Sequence, residues 1–360
     1  MLRLSLALLL SPLALAPAAE AQVRLVPDLE LVVNGTVQPR VGYAYQEGAA
    51  SERLGVGLRR ARFQTRATYD GTAGLEFDLD AAPGDVRAVD LVGFVNFSDN
   101  LTLRAGRWYG AQPRSYIPTS HTRIDAVERA AIAELWAGNT IGSSGRDFGV
   151  DLTYETDRSQ TVVFLHSGTG SFSRAVGNLR ESITAGDVTR GRDETGLALT
   201  AMTRYSPEAV PGVEVGAFAG VNGVGNENTE LDGVERTYAT GGAHAYWGAR
   251  PGSQPVRVKL DALGIRYEEV AGVRQESVGV SLFGAARVLG HGEVFARGER
   301  FWSDVDGPGD DYLTAGLSYS LSAARGAEYR RVRLTAAYHY RASEPRGDAH
   351  VVAVQGQFAF

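Results

Sequence analysis

Arg60, Arg62, Gln64 and Arg66 recur at every second position of one short segment. In an extended backbone this spacing puts all four side chains on one face, with Ala61, Phe63, Thr65 and Ala67 on the other. Guanidinium groups grip carboxylates and phosphates through paired N–H bonds, so a row of them attracts anions. Arg40 and Arg104 take the same face of their own segments by the same parity. A carboxylate row, Glu76, Asp78 and Asp80, alternates a few residues further on. It falls on the next extended segment, close enough to pair with the arginines. A mixed wall of both signs implies a wet surface that meets small solutes and favours anions only modestly.

Other chemistries find little support. The chain has no cysteine, which excludes thiolate metal sites, a cysteine nucleophile and disulfides. It has no G-x-x-x-x-G-K-[ST], no G-x-S-x-G and no H-E-x-x-H. His121, His166, His244, His291, His339 and His350 are scattered without ligand spacing. Asp304, Asp306, Asp310 and Asp311 surround Gly307-Pro308-Gly309 and read as an acidic turn rather than a Ca²⁺ loop. No cofactor or metal is expected, and no enzyme. A net charge of −6 argues against nucleic acid as a partner. Lys259 is the only lysine, a bias that codon usage explains as well as function does.

The elements that would carry these rows are strands. Ala73, Leu75, Phe77, Leu79 and Ala81 alternate with Gly74, Glu76, Asp78 and Asp80. Leu313 to Leu321 and Val332 to Tyr340 alternate in the same way. A soluble sandwich would also alternate, but connection lengths decide between the two. Tight turns such as Tyr69–Thr72, Ser98–Asn100 and Thr156–Ser159 interleave with mostly longer segments rich in Gly, Asp, Glu and Ser. That is the signature of a transmembrane antiparallel up-and-down β-barrel, all-β, with about sixteen strands and both termini on the periplasmic side. A mean hydropathy of −0.15 fits, because only alternate residues need face lipid. Aromatic pairs near strand ends, among them Tyr43 and Tyr45, Trp108 and Tyr109, and Tyr338 and Tyr340, suit interfacial girdles.

The ends of the chain agree. Residues 1–21 read as a signal peptide: Arg3, an apolar stretch from Leu4 to Ala16, then Ala19-Glu20-Ala21 as the cleavage site. The mature chain, 22–360, would then meet an outer membrane and its lipid. It closes on Val352, Val354, Phe358 and Phe360, one apolar row ending in an aromatic. This pattern looks like the signal read by the barrel-assembly machinery, with Phe360 as the contact. Residues 109–144 form the longest loop, the third on the outer side, and hold the only helical pattern of the mature chain. Thr122 with Asp125 reads as a capping box. Ile124, Val127, Ala131, Ile132 and Leu135 follow on one helical face. An apolar helix needs something to pack on, either the inner wall of the barrel or its mouth.

Several segments resemble the phosphate-selective porin O/P family. They are Asn34-Gly35-Thr36-Val37-Gln38-Pro39-Arg40, Leu58-Arg59-Arg60-Ala61-Arg62-Phe63, Leu101-Thr102-Leu103-Arg104-Ala105-Gly106-Arg107, Val127-Glu128-Arg129 and Arg146-Asp147-Phe148-Gly149-Val150. The resemblance covers mainly the first half and the closing strand. It implies a sixteen-stranded channel, often a homotrimer, with a loop turned inward. Where that family often carries Lys after the L-T-L-R-x-G strand, this chain has Trp108, Tyr109 and Gly110. The expectation is an outer-membrane porin for passive diffusion of small hydrophilic or anionic solutes. Arg40, Arg60, Arg62, Arg66 and Arg104 would line its pore, opposed by Glu76, Asp78 and Asp80. A plugged structural or adhesive barrel and a barrel lipase are the alternatives.

Overall fold

A computed structural model describes residues 21–26, 28–49, 52–82, 84–141, 145–168, 197–227, 235–269, 274–288, 290–304, 307–344 and 347–360. The expected signal peptide lies outside them, apart from Ala21. So do Asp306 and most of the long connection after residue 168. The strands are β1 (Ala21–Val26), β2 (Leu29–Gln46), β3 (Arg53–Tyr69), β4 (Ala73–Asp80), β5 (Arg87–Ser98), β6 (Leu101–Trp108), β7 (Asp147–Glu155), β8 (Ser159–His166) and β9 (Ala198–Tyr205). They continue as β10 (Val213–Glu227), β11 (Glu235–Trp247), β12 (Val256–Glu269), β13 (Arg274–Val288), β14 (Gly292–Ser303), β15 (Gly307–Ser320), β16 (Val332–Ala342) and β17 (Ala349–Ala359).

Each strand from β2 to β17 pairs antiparallel with its sequence neighbour, and β17 returns to β2 from Ala349↔Gln46 to Ala359↔Thr36. The sheet is thus a closed barrel of sixteen staves. The short β1 adds none. It pairs with Leu29–Val33, on the edge of β2 that β17 takes further along, so β1 and β17 lie end to end. Closure leaves no edge strand in the wall, which is what lets a sheet cross lipid. No helix among the described residues is long and apolar enough to cross a membrane.

Alternation sorts the side chains as expected. Leu317 and Phe358 face outward, 54% and 41% exposed, while Ser318, Arg333 and Asp78 point inward and are each 2% exposed. The interior is filled because residues 109–141 fold into it. Trp136, Ile132 and Tyr116 of that loop pack with Phe218, Leu263, Ile265, Tyr267 and Phe301 of the wall. The apolar residues on the inward rows of β10 to β14 are explained by this packing.

Only Ala131–Asn139 of the loop is helical (α1). It begins well after the expected capping box, and Ala130 at its N-cap offers no side-chain cap. Thr122 sits in a 3-10 turn, His121–Arg123. Asp125 is drawn off to Arg257 and Lys259 at 2.6 and 2.7 Å. A wall carboxylate does the capping instead: the Ile132 N–H donates to Glu299 Oε2 of β14 at 3.2 Å. Two connections on the side of the tight turns are longer, since β15 ends at Ser320 and β16 starts only at Val332, and β11 ends at Trp247 and β12 starts only at Val256.

Two β-bulges interrupt the register, one between β2 and β3 and one between β4 and β5. Gln38 opposes Arg60 and Pro39 opposes Leu58, so Arg59 is the extra residue of β3. Asp78 opposes Asp90 and Leu79 opposes Ala88, so Val89 is the extra residue of β5. Proline has no N–H to give the ladder, which makes Pro39 a natural place for pairing to lapse.

The seam is held by close contact. The Gly35 N–H donates to the Phe360 carbonyl at 2.9 Å, and a Cβ on Gly35 would lie 2.1 Å from the Phe360 ring. Gly35→Val should therefore destabilise the closed barrel by about 1–3 kcal/mol, the usual cost of overpacking. Heat-modifiable gel mobility should show unfolding at a lower temperature, and Phe360→Ala in the same chain should recover part of the loss. A Gly35→Val barrel as heat-resistant as the parent would contradict this packing.

Candidate functional site

The loop is fixed to the wall mainly by charged groups. Asp125 meets Arg257 and Lys259 of β12, and Arg257 also pairs with Glu293 of β14 at 3.0 Å. Glu128 pairs with Arg40 of β2 at 2.5 Å and with Arg59 of β3 at 3.0 Å. Arg114 pairs with Glu214 of β10 at 2.7 Å. Backbone carbonyls of the loop accept from the wall as well: Arg333 donates to Ile124 O at 2.8 Å, Arg297 to Arg129 O at 2.8 Å, Gln357 to Thr122 O at 3.1 Å. The Trp136 Nε1–H donates to Thr240 Oγ1 at 2.8 Å. These contacts seat the loop against β10 to β17 and the first strands.

On the remaining side a cavity of about 360 Å³ opens between the loop and β3 to β6. Seven arginines line it, Arg59, Arg60, Arg62, Arg87, Arg107, Arg129 and Arg146, against Asp80 and Glu134. Ala82, Ala88, Val89, Tyr116 and Ile117 complete the lining. Both bulges feed it. That at Arg59 turns two successive guanidiniums inward, and that at Val89 frees two carbonyls. The Arg107 Nη1–H bonds these, Ala88 O at 2.9 Å and Val89 O at 2.5 Å.

Several of the arginines have their charge answered nearby. Arg59 has Glu128, Arg62 has Asp78 and Asp80 at 3.3 and 3.1 Å, Arg146 has Asp90 at 3.0 Å, and Arg87 has Asp85 at 3.7 Å. Among the described residues, Arg60 and Arg129 pair with no carboxylate. Arg60 donates to Gln38 Oε1 at 3.2 Å. Arg129 donates to the carbonyls of Tyr116 and Thr119, each at 3.0 Å, and its guanidinium lies 5.6 Å from the Tyr116 ring centroid. The field is felt by His121 of the loop. Burial first, then Arg62 and Arg60, push its imidazole well below the usual value. Glu134 lies among these charges on α1, where burial raises its carboxyl against the pull of Arg129.

Of the residues expected to line a pore, Arg60, Arg62 and Asp80 meet at this cavity. The others point inward elsewhere. Arg40 fastens the loop. Arg66 stacks on Phe94 at 4.4 Å. Arg104 pairs with Asp151 at 3.1 Å and covers the Trp108 ring at 3.4 Å. Asp78 serves Arg62, and Glu76 faces Arg66 across the β3–β4 register. Sequence parity misses Arg59, although its signal is present: the apolar row runs Leu54, Val56, Leu58, then shifts phase to Ala61, Phe63. Arg107, Arg129, Arg146 and Glu134 carry no periodic mark of their own. The first three, however, fall inside the segments that resemble the porin family.

No protein-family model matches this chain, and no curated protein matches it. Solved structures do. An anion-selective porin from Comamonas acidovorans superposes with a TM-score of 0.67 at 13% identity, over 92% of this chain and 100% of that one. OmpF of Salmonella typhi gives 0.59 at 13%, over 94% and 100%. The trimer form of OmpT, an outer-membrane protein of Vibrio cholerae, gives 0.56 at 11%, over 92% and 100%. The fold is that of the outer-membrane porins.

The ion pairs set the acid limit of loop attachment. Burial disfavours the charged forms of Asp125 and Glu128, but Lys259 and Arg257, and Arg59 and Arg40, overcome it and hold both carboxyls down to about 2. A depressed carboxyl stabilises the folded state above its ordinary value, near 4, and loses that contribution as pH falls toward about 2. Amide exchange of residues 124–130, corrected for intrinsic rates, should show constant protection from pH 7 to about 5. It should fall between about 4 and 2. Loss of protection already at pH 5 would mean that these pairs do not seat the loop.

Proposed function

We propose that the chain is an outer-membrane porin, a passive channel for small hydrophilic solutes with a modest preference for anions. One observation carries this: the loop is fixed inside a closed barrel, and the space left beside it is lined by arginines of which Arg60 and Arg129 meet no carboxylate among the described residues. Positive charge at a narrow, low-dielectric aperture raises the local concentration of anions and lowers their barrier. The paired arginines contribute less, which keeps the preference modest, and no dedicated phosphate site is needed.

The same proposal covers the route and the setting: export by a signal peptide cleaved after Ala21, assembly through the Phe360 row, and residence in the outer membrane, alone or as a homotrimer. The trimer form of the Vibrio cholerae neighbour supports the last. A channel is favoured over a hydrolase because Ser167, His166 and Asp147, which meet at the end of β8, do not form a nucleophile. His166 Nδ1 meets Asp147 Oδ2 at 2.9 Å, and the Ser167 hydroxyl bonds to Asp147 rather than to the imidazole.

Planar-bilayer recording in a salt gradient tests the proposal. The reversal potential should show anion preference, stronger at 0.01 M, where the Debye length is ~30 Å, than at 1 M, where it is ~3 Å. Arg60→Gln with Arg129→Gln should lower the anion-to-cation permeability ratio several-fold at low salt and change high-salt conductance little. A barrel without conductance would leave the plugged alternative, and an unmoved reversal potential would remove both arginines from the path.

A further inference from the structure

Granted the porin function proposed above, we infer that the aperture takes organic carboxylates with a compact apolar body in preference to small inorganic anions, through an apolar ledge formed by Ile117 and Val89. The cavity is two-sided. Arg60, Arg62, Arg129 and Arg146 supply charge, and Ile117, Val89, Ala88 and Ala82 supply an uncharged border. A purely aqueous aperture has no use for half-buried branched aliphatic side chains, which gain only when something apolar covers them.

Both ledge residues are held in place by the backbone. Val89 is the extra residue of the β5 bulge. Ile117 follows Tyr116, whose ring is 1% exposed and packs edge-on to Trp136 at 6.1 Å. Gly145, at φ +61°, lets this pair approach the start of β7: a Cβ there would lie 2.5 Å from Tyr116 and 2.9 Å from Ile117. The charged side is built as firmly. Arg129 uses Nε and Nη2 on loop carbonyls, which leaves Nη1, and Arg60 uses only Nη1 on Gln38.

Guanidinium N–H groups match a carboxylate in geometry as well as charge. A carboxylate on an apolar ring or short chain can dock its head on the arginines and rest its body on the ledge. Inorganic phosphate carries its hydration on every side and gains nothing from Ile117. The volume of about 360 Å³ lies within the range of small-molecule sites.

The test is interruption of single-channel current through the full barrel by benzoate, inorganic phosphate and neutral benzyl alcohol. Benzoate should interrupt the current at roughly tenfold lower concentration than phosphate, equivalent to ~1.4 kcal/mol, and benzyl alcohol should have little effect. Ile117→Ser should bring the benzoate-to-phosphate ratio toward one. Should that variant not yield heat-modifiable barrel, Val89→Thr tests the same ledge from the barrel wall. Arg60→Gln should weaken benzoate and phosphate together. Equal interruption by benzoate and phosphate in the parent, or an unchanged ratio in the ledge variants, would overturn the inference. In that case anion preference in the reversal potential would still uphold the channel, and its absence would show that the channel proposal itself had failed.

Discussion

A missing hydrogen-bond donor governs much of this molecule. Pro39 cannot feed the β2–β3 ladder, and the ladder slips by one residue opposite it. Without that slip the outward row of Leu54, Val56 and Leu58 would run on to Arg60, where a guanidinium is costly at membrane depth. With it, two successive guanidiniums turn into the barrel. Arg59 reaches the carboxylate of Glu128 and so ties the loop to the strand. Arg60 is left to face the open space. The position of the loop and the shape of the aperture both follow from this single irregularity.

The barrel has its packed core inside, reaching wall residues from Val92 of β5 to Phe301 of β14. From β10 to β14 the inward rows carry Phe218, Leu263, Ile265 and Phe301, and the loop covers them with Ile132 and Trp136. From β3 to β6 the inward rows mix charged residues with Val92, Phe94 and Trp108, and the arginine-lined cavity opens there. Polar groups at the loop–wall contact are satisfied one by one: the N-terminal turn of α1 by Glu299, the Ile124 carbonyl by Arg333, the Arg129 carbonyl by Arg297. Breaking one partner of such a buried pair leaves the other charge uncompensated, which is the costly case.

Period-two alternation is a local property of the chain, so the barrel, its facing and its strand number could be read from the sequence. The inward placement of Arg40, Arg60, Arg62 and Arg104 followed from the same parity. What parity cannot supply is partnership across the lumen. Glu128 lies 88 residues from Arg40 and 69 from Arg59, and nothing in the sequence of either strand announces it. The start of α1 was misplaced for a related reason: Thr122 and Asp125 have capping spacing, yet two wall cations outbid a backbone N–H for Asp125. Arg59 is the intermediate case, since the phase shift after Leu58 marks a bulge without saying what the extra residue will touch.

Lys259, the only lysine of the chain, is 5% exposed and holds Asp125 at 2.7 Å. Every other cation on a side chain is a guanidinium or an imidazole. Acylating reagents that seek primary amines thus meet a protein with one internal target, and that target is shut away while the loop is seated. Modification of this residue would report the unseating of the loop against a background of little more than the N-terminal amine. A compositional oddity of the sequence becomes, through its place in the fold, a built-in chemical probe of the loop inside the barrel.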